Sequence, residues 1–366
     1  MNKVLIVTNI PAAYRVDFFN LLAADEEIDF NFLFIPEKNS SHKEIIWGDN
    51  SNPFFGKSFF IKNGPGIKFL RSLTKQISKC KPNKVVVGGI PHYFPVIVFI
   101  SFFLRYKIYC WWAGHAYTEK RNILKRYFRT LFSIFIDGYF FYSEYAYKYF
   151  FNHIRPIKKQ YKIVGNNTRL AAIEMERFLP SNYEQKLDHN CFSLISIGFQ
   201  EKRKNTILLL EAISILNSNN NWKINTIIIG DGPELQKLKL WKRKNNLSCV
   251  NFIGNLSPEN VLKRLINSSL LIHPSYSDSW PQVYNEAAFC SIPILISSRA
   301  GVINEYTKKY KNLVLFDPFS PDELAQKIAV LLSNENIRNE LGTFAHREAI
   351  DNDGRKVLVD FKELLK

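Results

Sequence analysis

Short runs of continuous apolar residues, each followed by a stretch with helical periodicity, recur along most of this chain. KVLIVTNI, DFNFLFIP, NKVVVGGI and YKIYCWWAGH read as buried strands. YRVDFFNLLAA, IKFLRSLTKQISKCKP and NILKRYFRTLFSIFI carry apolar residues at helical spacing, and DGYFFYSEYAYKYF adds a strand and a short helix. Strands that are apolar on both faces need cover on both faces, which is the signature of a parallel sheet between helical layers. The pattern pauses around 170–190 (MERFLPSNYEQKLDHN) and restarts with CFSLISIG, NTILLLEAISILN and WKINTIIIGDG. PELQKLKLWKRKN reads as a helix with Pro233 at its first position. CVNFIG, SPENVLKRLINS, SLLIHPS, PQVYNEAAFCS, PILISS and a strand-like NLVLFDP continue the alternation, and SPDELAQKIAVLLSN and RKVLVDFKELLK close it. The expectation is α/β throughout: two doubly wound domains in tandem over 1–175 and 190–350, with a helix near 350–366 available to pack back on the first. Ligands of such sheets sit outside the carboxyl ends of the strands.

Size and composition agree with two globular domains, at 366 residues with 46% hydrophobic and 22% charged content. The five cysteines are scattered without metal-like spacing, so they read as reduced residues of a cytosolic protein. The amino-terminal run has no cleavage site and reads as no cleavable signal. The net charge of +16 is uneven. Between Phe99 and Lys162 the basic residues face only Glu119, Asp137 and Glu144, and aromatic residues crowd the same stretch. Cations beside rings suit an anionic membrane surface; a merely basic soluble surface is the plainer alternative. Val96–Leu104 is too short to span a bilayer, and no nucleic-acid module is recognisable. The expected location is cytoplasmic, peripheral to the inner face of the cell membrane.

One segment points to chemistry. DSWPQVYNE, at 278–286, follows the strand SLLIHPS, and Pro281 is suited to the first position of a helix. The amides at 280–283 would then offer a phosphate site backed by the helix dipole. An ionised carboxylate beside a diphosphate is repelled unless it meets donors, and sugar hydroxyls are natural ones. Glu286 suits a ribose diol and Asp278 the hydroxyls of a hexose. A helix-capping Asp with a solvated Glu remains the other reading of the same residues.

LIHPSYSDSWPQVYNEAAFCSIPILIS resembles the donor segment of the retaining GT-B glycosyltransferases of family 4 (glycosyl transferases group 1), which usually carry Glu-x7-Glu; Asp278 and Glu286 stand at those positions. SIGFQEKRKNTILLLEA matches the family's strand, glycine, lysine and helix, with Gly198 and Lys204 in register. IIIGDGPELQKLK, CVNFIGNLSPENV and SSRAGVINEY follow in the family's order, and WAGHAYTEKR with FYSEYAYKYF and IVGNNT is similar to its first half. The resemblance implies a GT-B fold of two Rossmann-like domains facing each other across a cleft, the first binding the acceptor and the second the donor. It implies transfer of a hexose or N-acetylhexosamine from a nucleotide-sugar to a lipid-linked or polysaccharide acceptor, by front-face attack with the leaving phosphate helping to deprotonate the acceptor. Lys204, with Arg203 beside it, would neutralise the donor diphosphate as charge grows there. Glu286 would hold the ribose; Asp278, Ser279, Trp280, Pro281 and Gln282 the sugar and phosphate; Phe252, Ile253 and Asn255 the base. His115 would reach the donor sugar from the first domain, although a buried structural His is the alternative. Arg15, with Tyr14, is a candidate for an anionic acceptor or else a surface residue. No metal and no separate cofactor is expected, and UDP and GDP donors stay equally open.

The chain departs from the pattern. Phe199 stands where the family usually has arginine, Asp278 is one methylene shorter than Glu, and Ala300-Gly301 replaces a glycine pair. GDGP at 230–233 lacks the remainder of a phosphate loop and reads as a tight strand-to-helix turn. A nucleotide-sugar epimerase of the same architecture and a non-catalytic sugar-nucleotide or lipid binder are the competing functions.

Overall fold

The computed structural model describes residues 2–9, 13–36, 54, 56–62, 64, 66–119, 122–157, 159–165, 191–218, 222–302 and 305–366, the side chains of 13, 14 and 305 excepted. The expected pause at 170–190 and the end of IVGNNT lie outside the described residues. The chain divides into two compact units, Met1–Leu170 with Asn352–Lys366, and Ala171–Asp351.

The first unit alternates β1 (Asn2–Thr8), α1 (Ala13–Ala23), β2 (Ile28–Phe34), β3 (Ser58–Phe60), α2 (Ile67–Cys80), β4 (Lys84–Gly88), α3 (Phe94–Leu104), β5 (Lys107–Trp112), α4 (Ile123–Ser133), β6 (Gly138–Phe141), α5 (Glu144–His153) and β7 (Gln160–Ile163). Its seven strands form one parallel sheet in the order β3-β2-β1-β4-β5-β6-β7. Helix α2 shows why the pattern folds this way: Phe69, Leu73, Ile77 and Cys80 form one buried stripe. Lys81 then ends the helix in the left-handed conformation, just ahead of Pro82. Ser143 caps α5 by accepting from the Ala146 amide.

The second unit runs β8 (Phe192–Ile197), a 3-10 turn (Lys202–Lys204), α6 (Thr206–Ser218), β9 (Ile224–Ile229), α7 (Leu235–Lys244), β10 (Val250–Gly254), α8 (Pro258–Ile266), β11 (Leu270–His273), α9 (Gln282–Phe289), β12 (Ile294–Ser297), α10 (Glu305–Lys309), α11 (Lys311–Val314), β13 (Leu315–Phe316), α12 (Pro321–Ser333) and α13 (Glu335–Asp351). Its parallel sheet has the order β10-β9-β8-β11-β12-β13. The last helix, α14 (Gly354–Leu365), belongs to the first unit. Phe361 stacks on Phe140 at 4.1 Å and meets Trp111 and Phe18 edge-on at 4.9 and 5.4 Å. Lys362 pairs with Asp25 at 2.6 Å, and the Lys84 ammonium donates to the Leu365 carbonyl.

Four expectations need correction. Pro233 does not open a helix; the Glu234 amide donates to the Gln200 carbonyl at 2.9 Å, holding 233–234 in a turn before α7 starts at Leu235. Pro281 is the N-cap of α9 and not its first helical residue, because its ψ of 127° is extended. NLVLFDP is a helical turn followed by a two-residue strand. The aromatic crowding of the first unit is mostly core: Trp111, Trp112, Tyr139, Phe140 and Phe141 are buried in strands covered on both faces.

Candidate functional site

In the second unit the loops after β8 and β11 are stapled together. Asn205, in the left-handed conformation at φ 54°, donates its buried amide to the carbonyls of Pro274 at 3.1 Å and Pro318 at 2.8 Å. The Tyr276 amide and the Ser275 hydroxyl both donate to the Arg203 carbonyl, at 2.9 and 3.0 Å. These backbone clips bring Asp278 beside the basic 202–204 turn.

Asp278 is the centre of the cluster. Its Oδ2 accepts from Lys204 Nζ at 2.6 Å, and Arg203 Nη1 stands 3.4 Å away while donating to the Ser277 carbonyl at 2.8 Å. Arg203 also pairs with Glu201 at 2.7 Å. His273 Nε2 lies 3.4 Å from the same oxygen, without the alignment of a hydrogen bond. Burial alone would raise the Asp278 carboxyl, but the Lys204 ammonium outweighs it and holds the carboxyl well below the usual range. Burial lowers the pKa of His273, so its ring is neutral near pH 7. Gly198 lies under the lysine stem: a Cβ there would stand 3.5 Å from Lys204 Cε.

The structure therefore brings Gly198, Arg203, Lys204 and Asp278 together at the carboxyl ends of β8 and β11. The Asp278 amide carbonyl also accepts from the Gly301 amide at 2.7 Å, tying in the loop after β12. Helix α9 starts four residues beyond, its first amides being those of Gln282 and Val283, since Pro281 has none. Ser279 is half-buried, and Trp280 is buried with its indole donating to Asn285 Oδ1 at 3.0 Å. Gln282 and Glu286, both half-buried, share one face of α9. Phe252 and Ile253 are half-buried at an irregularity in β10, and Asn255 Oδ1 accepts from the Asp231 amide at 3.0 Å.

The neighbouring GDGP is structural. A Cβ on Gly230 would stand 2.1 Å from the Gly198 carbonyl, and one on Gly232 would stand 2.5 Å from the Gln200 carbonyl. Both glycines, at φ 119° and 159°, let the β9 turn pack directly on the 198–200 backbone.

In the first unit a cavity of about 780 Å³ opens at the carboxyl ends of β1, β4, β5 and β6, lined among others by Thr8, Gly88, Gly89, Trp111 and Tyr142. Arg15, on its wall, lies over the Trp111 ring at 5.2 Å and donates to the Tyr142 hydroxyl. Arg129 stands 4.5 Å over Trp112 and pairs with Glu119 at 2.8 Å. His115 is fully buried in the turn after β5, next to the rings of Tyr117 and Tyr145 at 6.0 and 5.9 Å. The Tyr117 amide faces its Nδ1 at 3.4 Å. The side chain of Tyr14 lies outside the described residues.

Sequence reasoning passed over His273, Glu119 and Arg129. His273 had a signal, a polar residue inside the otherwise apolar SLLIHP; the Glu119–Arg129 pair had none beyond ordinary helix charges.

A family model for glycosyl transferases group 1 matches residues 183–348. The matched residues lie within the second unit. An uncharacterised glycosyltransferase of Methanocaldococcus jannaschii is 31% identical over 146 residues, 40% of each chain. An alpha-1,4-N-acetyl-D-galactosaminyltransferase of Campylobacter jejuni, whose name specifies a PP-undecaprenol-linked glycan, is 27% identical over 158 residues, 43% of each chain. The chain thus spans about two fifths of the length of these curated relatives. Anabaena HepE, solved in complex with UDP, superposes with a TM-score of 0.76 at 13% identity, covering 99% of both chains. The fold is GT-B. Among the described residues, no helix is long and apolar enough to cross a membrane.

Proposed function

We propose that this protein is a retaining glycosyltransferase, moving a hexose or N-acetylhexosamine from a nucleotide-sugar to a lipid-linked or polysaccharide acceptor at the inner face of a membrane. The observation that carries the reading is the Lys204–Asp278 pair, set at the carboxyl ends of two neighbouring strands inside the residues that the group 1 family model matches. The UDP of the HepE complex and the PP-undecaprenol in the Campylobacter enzyme's name supply the chemical models for donor and acceptor.

In this reading Asp278 holds Lys204 in place before the donor arrives, and the diphosphate then shares or takes over the ammonium. The carboxylate beside an anionic ligand is tolerable because its charge is already met by Lys204 and Arg203. Glu286 accepts from the ribose hydroxyls, Phe252, Ile253 and Asn255 border the base, and His115 is assigned to the transferred sugar by the family resemblance. The bond from the anomeric carbon to the phosphate oxygen breaks as the acceptor oxygen bonds to the same face, and the acceptor proton passes to the departing phosphate. Lys204, with Arg203, stabilises the charge that grows on that phosphate without a metal ion being assigned a role. The aromatic cavity of the first unit is assigned to the acceptor, with Arg15 facing its anionic part.

The test is release of nucleoside diphosphate from a panel of UDP- and GDP-sugars in the presence of a lipid-linked acceptor pool. Acceptor-dependent release that is lost in Lys204→Ala is expected. Conversion of the donor with no acceptor present would favour an epimerase, and unchanged turnover in Lys204→Ala would refute the role of the lysine.

A further inference from the structure

Helix α4 turns Phe128, Arg129, Phe132 and Ser133 inward, while Ile123, Leu124, Tyr127 and Leu131 face solvent. Tyr127 is 69% exposed and Leu131 58%. On the neighbouring α3, Phe99, Phe102 and Phe103 are 63%, 66% and 70% exposed. Half-buried rings join the two helices: Phe102 meets Phe135 at 6.0 Å, and Phe135 meets Phe132 at 6.3 Å. The result is a continuous apolar face, and such faces on a soluble chain mark something that covers them.

We infer that this α3–α4 face docks on an anionic lipid bilayer, and that the basic pocket at its edge receives a lipid phosphate. The pocket, about 490 Å³, lies between α4 and α5, with Arg126, Lys125 and His153 among its polar walls and Ile123 and Ile154 as apolar ones. Arg105 and Lys107 follow the end of α3, so cations stand at more than one side of the apolar face. Rings and aliphatic side chains at the acyl boundary with cations at headgroup level are the arrangement of an interfacial helix. A second copy of the chain is a poorer occupant, because a symmetric contact would set these same cations against each other. Lys125 and Arg129 line both this pocket and the aromatic cavity assigned to the acceptor, so docking here would place that cavity at the lipid headgroups. This last consequence rests on the proposed lipid-linked acceptor; the docking itself does not.

Flotation of the full chain with vesicles tests it, scored without donor or acceptor so that failure to dock and failure to transfer are read separately. The wild type is expected to float with phosphatidylcholine–phosphatidylglycerol vesicles and at least about tenfold less with phosphatidylcholine alone. Replacing Phe102, Phe103, Tyr127 and Leu131 together by Ser should cut binding to the anionic vesicles by about tenfold or more. Should the quadruple variant lose its thermal transition, the single charge reversal Arg126→Glu keeps the test decisive, with an expected loss of about fivefold. Wild-type protein that floats with neither vesicle, or variants that float as the wild type does, would overturn the inference. So would a concentration-dependent dimer that the quadruple variant abolishes.

Discussion

Both units end their parallel strands in a candidate binding surface, but they hold their cations differently. In the second unit Lys204 and Arg203 converge on one half-buried carboxylate, Asp278, and the loops that carry them are clipped by hydrogen bonds to backbone carbonyls. In the first unit Arg15 lies over the face of Trp111, and Arg129, although paired with Glu119, lies over that of Trp112. An ion pair of the first kind presents a compact charge that a diphosphate can capture. A cation on an aromatic wall presents a broad, half-apolar surface suited to a larger and more varied ligand. In the proposed function the same architecture serves a small anion in one unit and a larger acceptor in the other.

The comparison can be broken most strongly in the first unit's core. Phe361→Ala removes the ring stacked between Phe140, Trp111 and Phe18 and should cost about 3–5 kcal/mol of stability, read by denaturant unfolding. If α14 were an idle tail, the transition would not move.

Next in size, Lys204→Ala should reduce turnover by about a hundredfold or more, and because it leaves the Asp278 carboxylate without its main cation it should also cost about 2–3 kcal/mol of stability. A loss confined to stability would make the lysine structural.

Asp278→Asn should cost about 2–3 kcal/mol at neutral pH, less than a fully buried pair because Asp278 and Lys204 keep some exposure. The Asp278 carboxyl is depressed in the folded protein, so the folded state binds fewer protons than the unfolded one at low pH. Its contribution is complete above about pH 4 and fades as pH falls towards the folded value. The difference between wild type and variant should therefore shrink on acidification; a difference that is flat with pH would deny the pair its electrostatic role.

The smallest effect sharpens the other side of the comparison. Arg15→Met should raise the KM for acceptor by up to about tenfold with the donor KM unmoved. Equal changes in both would remove the distinction between the two surfaces.

Much of the architecture was legible because strands buried on both faces are continuous apolar runs, as in KVLIVTNI and NTIIIGDG. The same property hid which aromatics were accessible: Trp111 and Tyr139 look no different in sequence from Phe103, and only packing separates them. NLVLFDP misled because a short apolar run carries no periodicity to separate strand from helical turn. Pro233 and Pro281 each satisfied a local rule that a tertiary hydrogen bond, for the first, and its own extended ψ, for the second, overruled. In the site, Gly198, Lys204 and Asp278 were each legible singly. Their pairing was not, since Lys204 and Asp278 are 74 residues apart and meet only through the clips at Asn205 and Ser275.

Isothermal titration of UDP and GDP against the full chain and its Lys204→Ala variant bears on the central claim most directly. The nucleotide that binds the wild type should lose about tenfold to a hundredfold in affinity in the variant, with the corresponding nucleoside monophosphate losing much less. Identical diphosphate affinities in the two proteins would contradict the account.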